Sequence, residues 1–418
     1  MSGWSQELAA SEIEPYDETR RDICLAGNQS RRQLDGLIHT RQGIDEMNKA
    51  SRRSFLGASG LSVGALGFAG WLRPIFADDT PATSVEKAVN FLRQRQGEDG
   101  SWSGERNEPG ITALVVTSLL RSKRVAPTDP AITKALAYLE KFLGPKGGLS
   151  EAPHANYSTS IALLAFHEAN QGGRYDALIK GSQEFLKTMQ WDDGESKGPD
   201  DAFFGGAGYG GNNSRPDLSN TAYMIEALRE TGIPADDPSM KKALVFISRC
   251  QNLKSEFNDQ PWADKVNDGG FIYTPANSGT SVAGKTSDGG LRSYASMTYA
   301  GLKSMIYAGL TKDDPRVKAA LNFIKQNYTL DENPGLGQTG LYYYYHTFAK
   351  TLAALGTKEF VDSAGVSHDW RAELAAALAK RQNENGSWVN KSDRFMEGDA
   401  NLVTAYGLLC LAYTESKG

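Results

Sequence analysis

Cysteine is nearly missing from this chain. The three present, Cys24, Cys250 and Cys410, lie far apart without a Cys-x-x-Cys pair, which excludes a zinc knuckle and a disulfide framework. Cys250 and Cys410 fall inside apolar helical patterns, where a thiol behaves as a small buried hydrophobe. Histidine is scarce too, at five in 418 residues. His154, His167, His346 and His368 fall in no metal-ligand spacing, so no metal and no cofactor is expected. Positive charge is not in excess: 45 Lys and Arg against 50 Asp and Glu give a formal net charge of -5, and the aromatics are not interleaved with basic runs. Without a basic stripe for a phosphate backbone, nucleic acid is excluded as an expected partner. Sustained period-two alternation is also absent, which argues against a sheet-built fold. What remains is ordinary globular material, 40% hydrophobic and 23% charged, long enough to bury a large core.

The N-terminal part reads as an address rather than a fold. Ser51-Arg52-Arg53-Ser54-Phe55-Leu56-Gly57 is a twin-arginine motif, followed by a Gly/Ala-rich apolar stretch through Leu72. Ile75-Phe76-Ala77 suits a signal peptidase, and the mature chain is expected to start at about Asp78. Residues 1–46 are charged and patternless, and Met47-Asn48-Lys49 makes a normal basic leader, so 1–46 is read as disordered or as a mis-assigned start. Residues 47–77 are then the Tat signal. The expected partner of that segment is the Tat export machinery, and the expected location is the periplasm or, with the signal uncleaved as a membrane anchor, the periplasmic side of the membrane, with peripheral membrane contact.

From residue 84 to 418 apolar residues recur at helical spacing, separated by Gly-rich loops, which predicts an all-α domain. Asp129-Pro130, Asp237-Pro238 and Asp314-Pro315 each open a helix. Asp at the N-cap accepts orphan backbone N–H groups, and Pro next to it gives up a donor that the helix never uses. The clearest turns are Gln96-Gly97-Glu98-Asp99-Gly100-Ser101-Trp102 and Gln382-Asn383-Glu384-Asn385-Gly386-Ser387-Trp388, with weaker copies at Gln190 to Gly194, Asp268 to Phe271 and Gly147 to Leu149. A helix precedes and a helix follows each turn. Six pairs are expected: 85–96 with 111–122, 131–143 with 157–170, 176–190 with 218–231, 239–251 with 294–309, 315–327 with 342–355 and 370–382 with 401–414. Such repeats bury their faces only by stacking.

The Gln-x-x-x-Gly-Ser-Trp turns in six two-helix repeats resemble the QW repeats of squalene cyclases and of protein prenyltransferase β subunits, over nearly everything after Ser84. The resemblance implies a single-barrel bacterial member of that terpenoid-cyclase superfamily. It also implies an α6/α6 toroid in which the second helix of each pair lines a central cavity. Asp217-Leu218-Ser219-Asn220-Thr221-Ala222 is similar to the D-x-D-D-T-A motif of squalene–hopene cyclases, whose third position protonates an alkene. Ser219 stands there in this chain, and a hydroxyl is far too weak an acid for that task. Asp217 or Ser219 also reads as a helix cap. Tyr345-His346-Thr347 resembles the Y-H-T element that carries a zinc ligand in the prenyltransferases. Their D-x-C element is matched by Arg292-Ser293-Tyr294, without carboxylate or thiolate.

The expected catalytic residues are His346, Tyr345 and Asp217. The expected substrate-binding residues are Ser219, Asn220, Arg292, Tyr294, Tyr344, Glu397 and Asp399. His346 is drawn from a run of four tyrosines, Tyr342 to Tyr345, and its imidazole suits acid or base work near neutral pH. Tyrosines lining a toroid suit isoprenoids through their π faces. Asp399, just before Asn401, also reads as a cap. The leading expectation is an exported terpenoid-cyclase/prenyltransferase-like protein that acts on or binds an isoprenoid or lipid; if catalytic, it would be an isomerase, lyase or transferase. One alternative is a polysaccharide lyase or glycosidase, with Tyr345 and His346 in β-elimination, Asn220 or Arg292 on a uronate, and Glu397 and Asp399 for hydrolysis. The other is a lipid carrier or protein-binding module without catalysis.

Overall fold

The computed structural model describes residues 81–104, 108–145, 147–210 and 214–415. The expected signal at 47–77 and the stretch 1–46 lie outside them. Twelve α-helices fall within the described residues: α1 Pro81–Arg95, α2 Pro109–Arg121, α3 Pro130–Glu140, α4 Ala155–Glu168, α5 Asp176–Thr188, α6 Leu218–Glu230, α7 Pro238–Arg249, α8 Ala295–Tyr307, α9 Pro315–Gln326, α10 Leu341–Ala354, α11 Trp370–Arg381 and α12 Ala400–Glu415. Two two-residue strands, β1 Phe360–Val361 and β2 Ser367–His368, pair antiparallel between α10 and α11. The Asp-Pro starts cap as their chemistry dictates. The carboxylates of Asp129, Asp237 and Asp314 each accept from the backbone N–H two residues on, at 2.9 Å.

The even-numbered helices pack in sequence, α2 on α4, α4 on α6, α6 on α8, α8 on α10 and α10 on α12, and α12 returns to α2. That closes an all-α toroid. Burial separates the two layers: α2 buries twelve of its thirteen residues, whereas α5 buries four of thirteen and turns the rest outward. A helix apolar all round must sit inside a core, and one with a single apolar stripe must cover it. The even helices are therefore the inner wall and the odd helices the outer one.

The turns that lead into the inner helices carry the joints. In four of them a glutamine amide donates twice, once within its own turn and once to the first turn of the next outer helix. Gln96 donates to Gly100 and Ala131, Gln190 to Gly205 and Ser239, Gln251 to Gly269 and Arg316, and Gln382 to Gly386 and Ser84. The last bond ties α11 back to α1. The turn glycine has a left-handed φ, +88° at Gly386, and an added Cβ there would lie 2.3 Å from the Lys87 carbonyl oxygen. Only glycine fits this approach. The residue closing each turn donates its backbone N–H to a threonine hydroxyl of the inner helix that follows: Trp102 to Thr112, Leu149 to Thr159, Ala207 to Thr221, Phe271 to Thr298 and Trp388 to Thr404. Trp102 and Trp388 also donate their indole N–H to Leu92 and Leu378 in the helix before.

One sequence-read turn is corrected. The glycine paired with Gln190 is Gly205, because Asp192 instead caps a short 3-10 turn, Asp193–Glu195, and the intervening loop separates glutamine from glycine.

Candidate functional site

Because the inner helices follow one another around the ring and their last turns meet, their N-terminal ends gather at one end of the toroid. Asp217 caps α6 there. It is 2% exposed, and its two oxygens accept from the Asn220 N–H at 2.9 Å and the Asn220 side-chain amide at 2.7 Å. Burial pushes its carboxyl up to about 6, against the pull of Asn220 and Tyr273. One turn into the interior, Tyr223 of α6 stands at the centre of a tyrosine cluster contributed by α4, α10 and α12. Its ring lies 5.3 Å from Tyr157 and 6.3 Å from Tyr343, and its hydroxyl meets that of Tyr406 at 3.2 Å. Tyr343 packs on Tyr406 at 6.2 Å and bonds the Ser219 hydroxyl at 3.1 Å. Tyr209, 46% exposed, reaches from the rim to Tyr157. Burial raises the phenol pKa throughout the cluster, so the hydroxyls stay neutral and offer hydrogen bonds and π faces rather than charge.

The expected site residues divide between this interior and the wall. Ser219 and Asn220 lie beside Asp217 as the sequence spacing requires. Tyr294 is buried at the N-cap of α8. Glu397 is fully buried and accepts from the Tyr343 N–H at 2.8 Å and the Asn390 amide at 2.6 Å. It thus caps α10 from a distant loop, where Gly340 supplies no side chain, and burial pushes its carboxyl up to about 7 against those donors. Asp399 caps α12 through the N–H groups of Asn401 and Leu402 at 2.8 and 3.1 Å. Arg292 is exposed, with its guanidinium on the Lys285 carbonyl.

The tyrosine run splits. Tyr343 faces the interior, while Tyr344 donates to Thr329 and Tyr345 to Leu330, outward into the loop between α9 and α10. Successive helix residues are rotated by about 100°, so the four cannot share a face. Tyr345 is consequently turned away from His346, and neither is brought to Asp217. His346 lies deeper, 3% exposed, with its ring 5.3 Å from Tyr406. Burial, reinforced by Lys303 and Arg121, pulls its pKa down to about 3, so the imidazole is neutral at physiological pH. Among the described residues no three His, Cys, Asp or Glu side chains converge as a metal site, and no helix is long and apolar enough to cross a membrane.

Sequence reasoning missed the opposite end. There the last turns of the inner helices meet in a network with a member from every one of them. Arg121 of α2 pairs with Glu168 of α4 at 2.8 Å and Glu230 of α6 at 2.5 Å, and donates to Tyr413 of α12 at 2.9 Å. Lys303 of α8 and Lys350 of α10 both bond Glu226 of α6; Lys350 also reaches Glu230 at 3.4 Å, and Tyr307 donates to the same carboxylate at 3.2 Å. Glu226, Lys303 and Lys350 have side chains 1%, 4% and 2% exposed. The available signal was polar pairs four apart on otherwise apolar helices: Glu226 with Glu230, Lys303 with Tyr307, His346 with Lys350.

No protein-family model matches this chain. Among solved structures it is similar to a family 76 glycoside hydrolase from a bovine Bacteroides thetaiotaomicron strain, at 12% identity over 79% of this chain and 77% of that one, with a TM-score of 0.51. The type II terpene cyclase MstE from Scytonema aligns at 15% identity over 79% of this chain and 97% of its own, with a TM-score of 0.49. The Candida albicans protein geranylgeranyltransferase-I complexed with GGPP aligns at 13% identity over 77% and 90%, with a TM-score of 0.45. A terpene cyclase and a prenyltransferase, the kinds of protein that the sequence resembles, are among the solved structures that align with this chain; the likeness to the glycoside hydrolase shows the fold alone, and none of these identities assigns an activity.

Proposed function

We propose that this chain is an exported toroid of six two-helix QW-type repeats that takes an isoprenoid or related lipid into its tyrosine-lined interior. The observation that carries the reading is the cluster of Tyr157, Tyr223, Tyr343 and Tyr406 beneath the buried Asp217. Four neutral phenols drawn from four inner helices give an apolar lining with directional donors, which suits a hydrocarbon chain carrying a few polar atoms. Asp217, Ser219 and Asn220 hold the entrance, and Arg52-Arg53 supports export through the Tat route. A saccharide groove would display tryptophan, whereas among the described residues Trp102, Trp262, Trp370 and Trp388 are buried and Trp191 is half-buried. That favours the lipid over the sugar.

The test is native mass spectrometry with lipid extraction on protein recovered from its own periplasm. A chain starting at about Asp78 with a co-purified isoprenoid or lipid is expected, and Tyr343→Trp, which fills the interior, should lose the ligand while melting like the parent. A bound uronic oligosaccharide, or lipid retained in full by Tyr343→Trp, overturns the reading.

A further inference from the structure

Below the tyrosines the inner helices enclose a small cavity of about 10 Å³, roughly the room one oxygen-sized group requires. Its wall is aliphatic from α2, α4 and α12, and polar at Thr117, Arg121, Tyr223, Glu226, His346 and Lys350. The charges in that wall are already spent on each other. Arg121 is held by Glu168 and Glu230, Lys350 by Glu226 and Glu230, and Glu226 by both Lys303 and Lys350. Three cations thus face three carboxylates, and an ionic guest would have to break a buried pair to enter. The Tyr223 hydroxyl is engaged by Tyr406 and the Thr117 hydroxyl donates to Ala113. The His346 imidazole is left over. His346 lines the cavity, is 3% exposed, and its Nδ1 has no hydrogen-bond partner. A buried nitrogen left without a partner is costly, and the partner that fits must be neutral and no larger than one oxygen.

We infer that this cavity is a binding site for a single neutral oxygen hydrogen-bonded to His346 Nδ1: a water in the empty toroid, and the hydroxyl terminus of a lipid alcohol when the interior is filled. The inference rests on the lipid reading above and narrows it to alcohols rather than diphosphates. The geometry supports the exchange. Tyr223 borders both the tyrosine cluster and the cavity, and Tyr406 packs on the His346 ring at 5.3 Å, so these two rings adjoin both the cluster and the His346 imidazole. A hydroxyl reproduces the hydrogen bond of the water it displaces, whereas a hydrocarbon end does not.

The experiment has two arms. In the first, geranylgeraniol, phytane and geranylgeranyl diphosphate are titrated into the mature protein by intrinsic fluorescence. The alcohol should bind about tenfold more tightly than the hydrocarbon, the worth of one buried hydrogen bond, and more tightly than the diphosphate; His346→Phe should bring alcohol and hydrocarbon level. A preference for the diphosphate, equal alcohol and hydrocarbon binding by the parent, or an alcohol preference unchanged in His346→Phe overturns the alcohol site. In the second arm, a high-resolution crystal structure of the unliganded parent should show one water within hydrogen-bond distance of His346 Nδ1, and a dry cavity overturns the oxygen site irrespective of how any variant folds. Failure of all three probes to bind would strike the lipid reading and the alcohol with it, and the crystal arm would still decide the water.

Discussion

At the level of single side chains, His346 shows how far surroundings can move a residue from the role its type suggests. An imidazole in water titrates near neutrality, but this one is desolvated and sits near Lys303 and Arg121, both of which oppose a further positive charge. Its folded pKa, about 3, lies below the ordinary value of 6.5. The linkage sign follows: the neutral ring contributes stability that is fully present above about 6.5 and is lost as pH falls through about 3. The Cε1–H resonance of His346 should therefore hold its position in NMR spectra from about pH 8 down to about pH 5. A midpoint between 6 and 7 would mean that the ring is solvated or that the two cations are not beside it. A neutral imidazole at working pH can accept or donate one hydrogen bond, and it is not a general acid. Asp217 and Glu397 are shifted the opposite way, upward, because a carboxylate is the form that burial penalises.

At the level of the helix and its turn, the recurrent joint is a glutamine clasp, a left-handed glycine seated on a neighbouring carbonyl, and a threonine that accepts the next backbone N–H. Gly386 makes this joint between the last outer helix and the first, so Gly386→Ala combines a strained φ with a collision against the Lys87 carbonyl. Gly356, at the end of α10, has φ +64° and open space around it, so Gly356→Ala carries the strain alone. Urea unfolding should place the first substitution at about 3 kcal/mol of destabilisation or more and the second near 1 kcal/mol. Equal costs would mean that α11 does not close onto α1. Part of this joint was legible in advance: where glutamine, glycine and tryptophan are close in sequence, as at Gln96 and Gln382, the pattern is visible. At Gln190 an inserted loop moves the glycine to Gly205, and the spacing is lost. The threonines were invisible because one Thr in an apolar helix reads as part of the wall. The tyrosine run misled for a geometric reason, since adjacency in sequence is not adjacency on a helix face, and only Tyr343 of the four reaches the interior cluster. The caps were readable because each rests on local spacing, except Glu397, which caps α10 from more than fifty residues away.

For the toroid as a whole, twelve helices arranged in this way gather six inner C-termini at one end, with their unsatisfied carbonyls and the partial negative charge these carry. Arg121, Lys303 and Lys350 answer that field, and Glu168, Glu226 and Glu230 balance the cations, so every inner helix is tied into one network. Buried pairs of this kind add little net stability over a well-packed apolar core, yet removing one member leaves its partners charged and unpaired. Glu226 is the member with most to lose, because both lysines lean on it and its side chain is 1% exposed. Glu226→Gln should destabilise the protein by about 3–5 kcal/mol in denaturant titrations at pH 7. The penalty should also depend on pH with a definite sign. Burial already pulls Lys303 down to about 8 and Lys350 well below its ordinary range, and loss of the carboxylate lowers both further. A lysine with a depressed folded pKa contributes stability that is present when it is neutral and is lost as pH falls through that pKa, so the gap between Glu226→Gln and the parent should narrow from pH 6 to pH 9. A cost below about 1 kcal/mol, the range of an exposed surface pair, or a gap that widens with pH, would show that water reaches these lysines and that the network is a solvated rim. The closed end of the toroid, and with it the one-oxygen cavity that the network walls off, would then have to be given up.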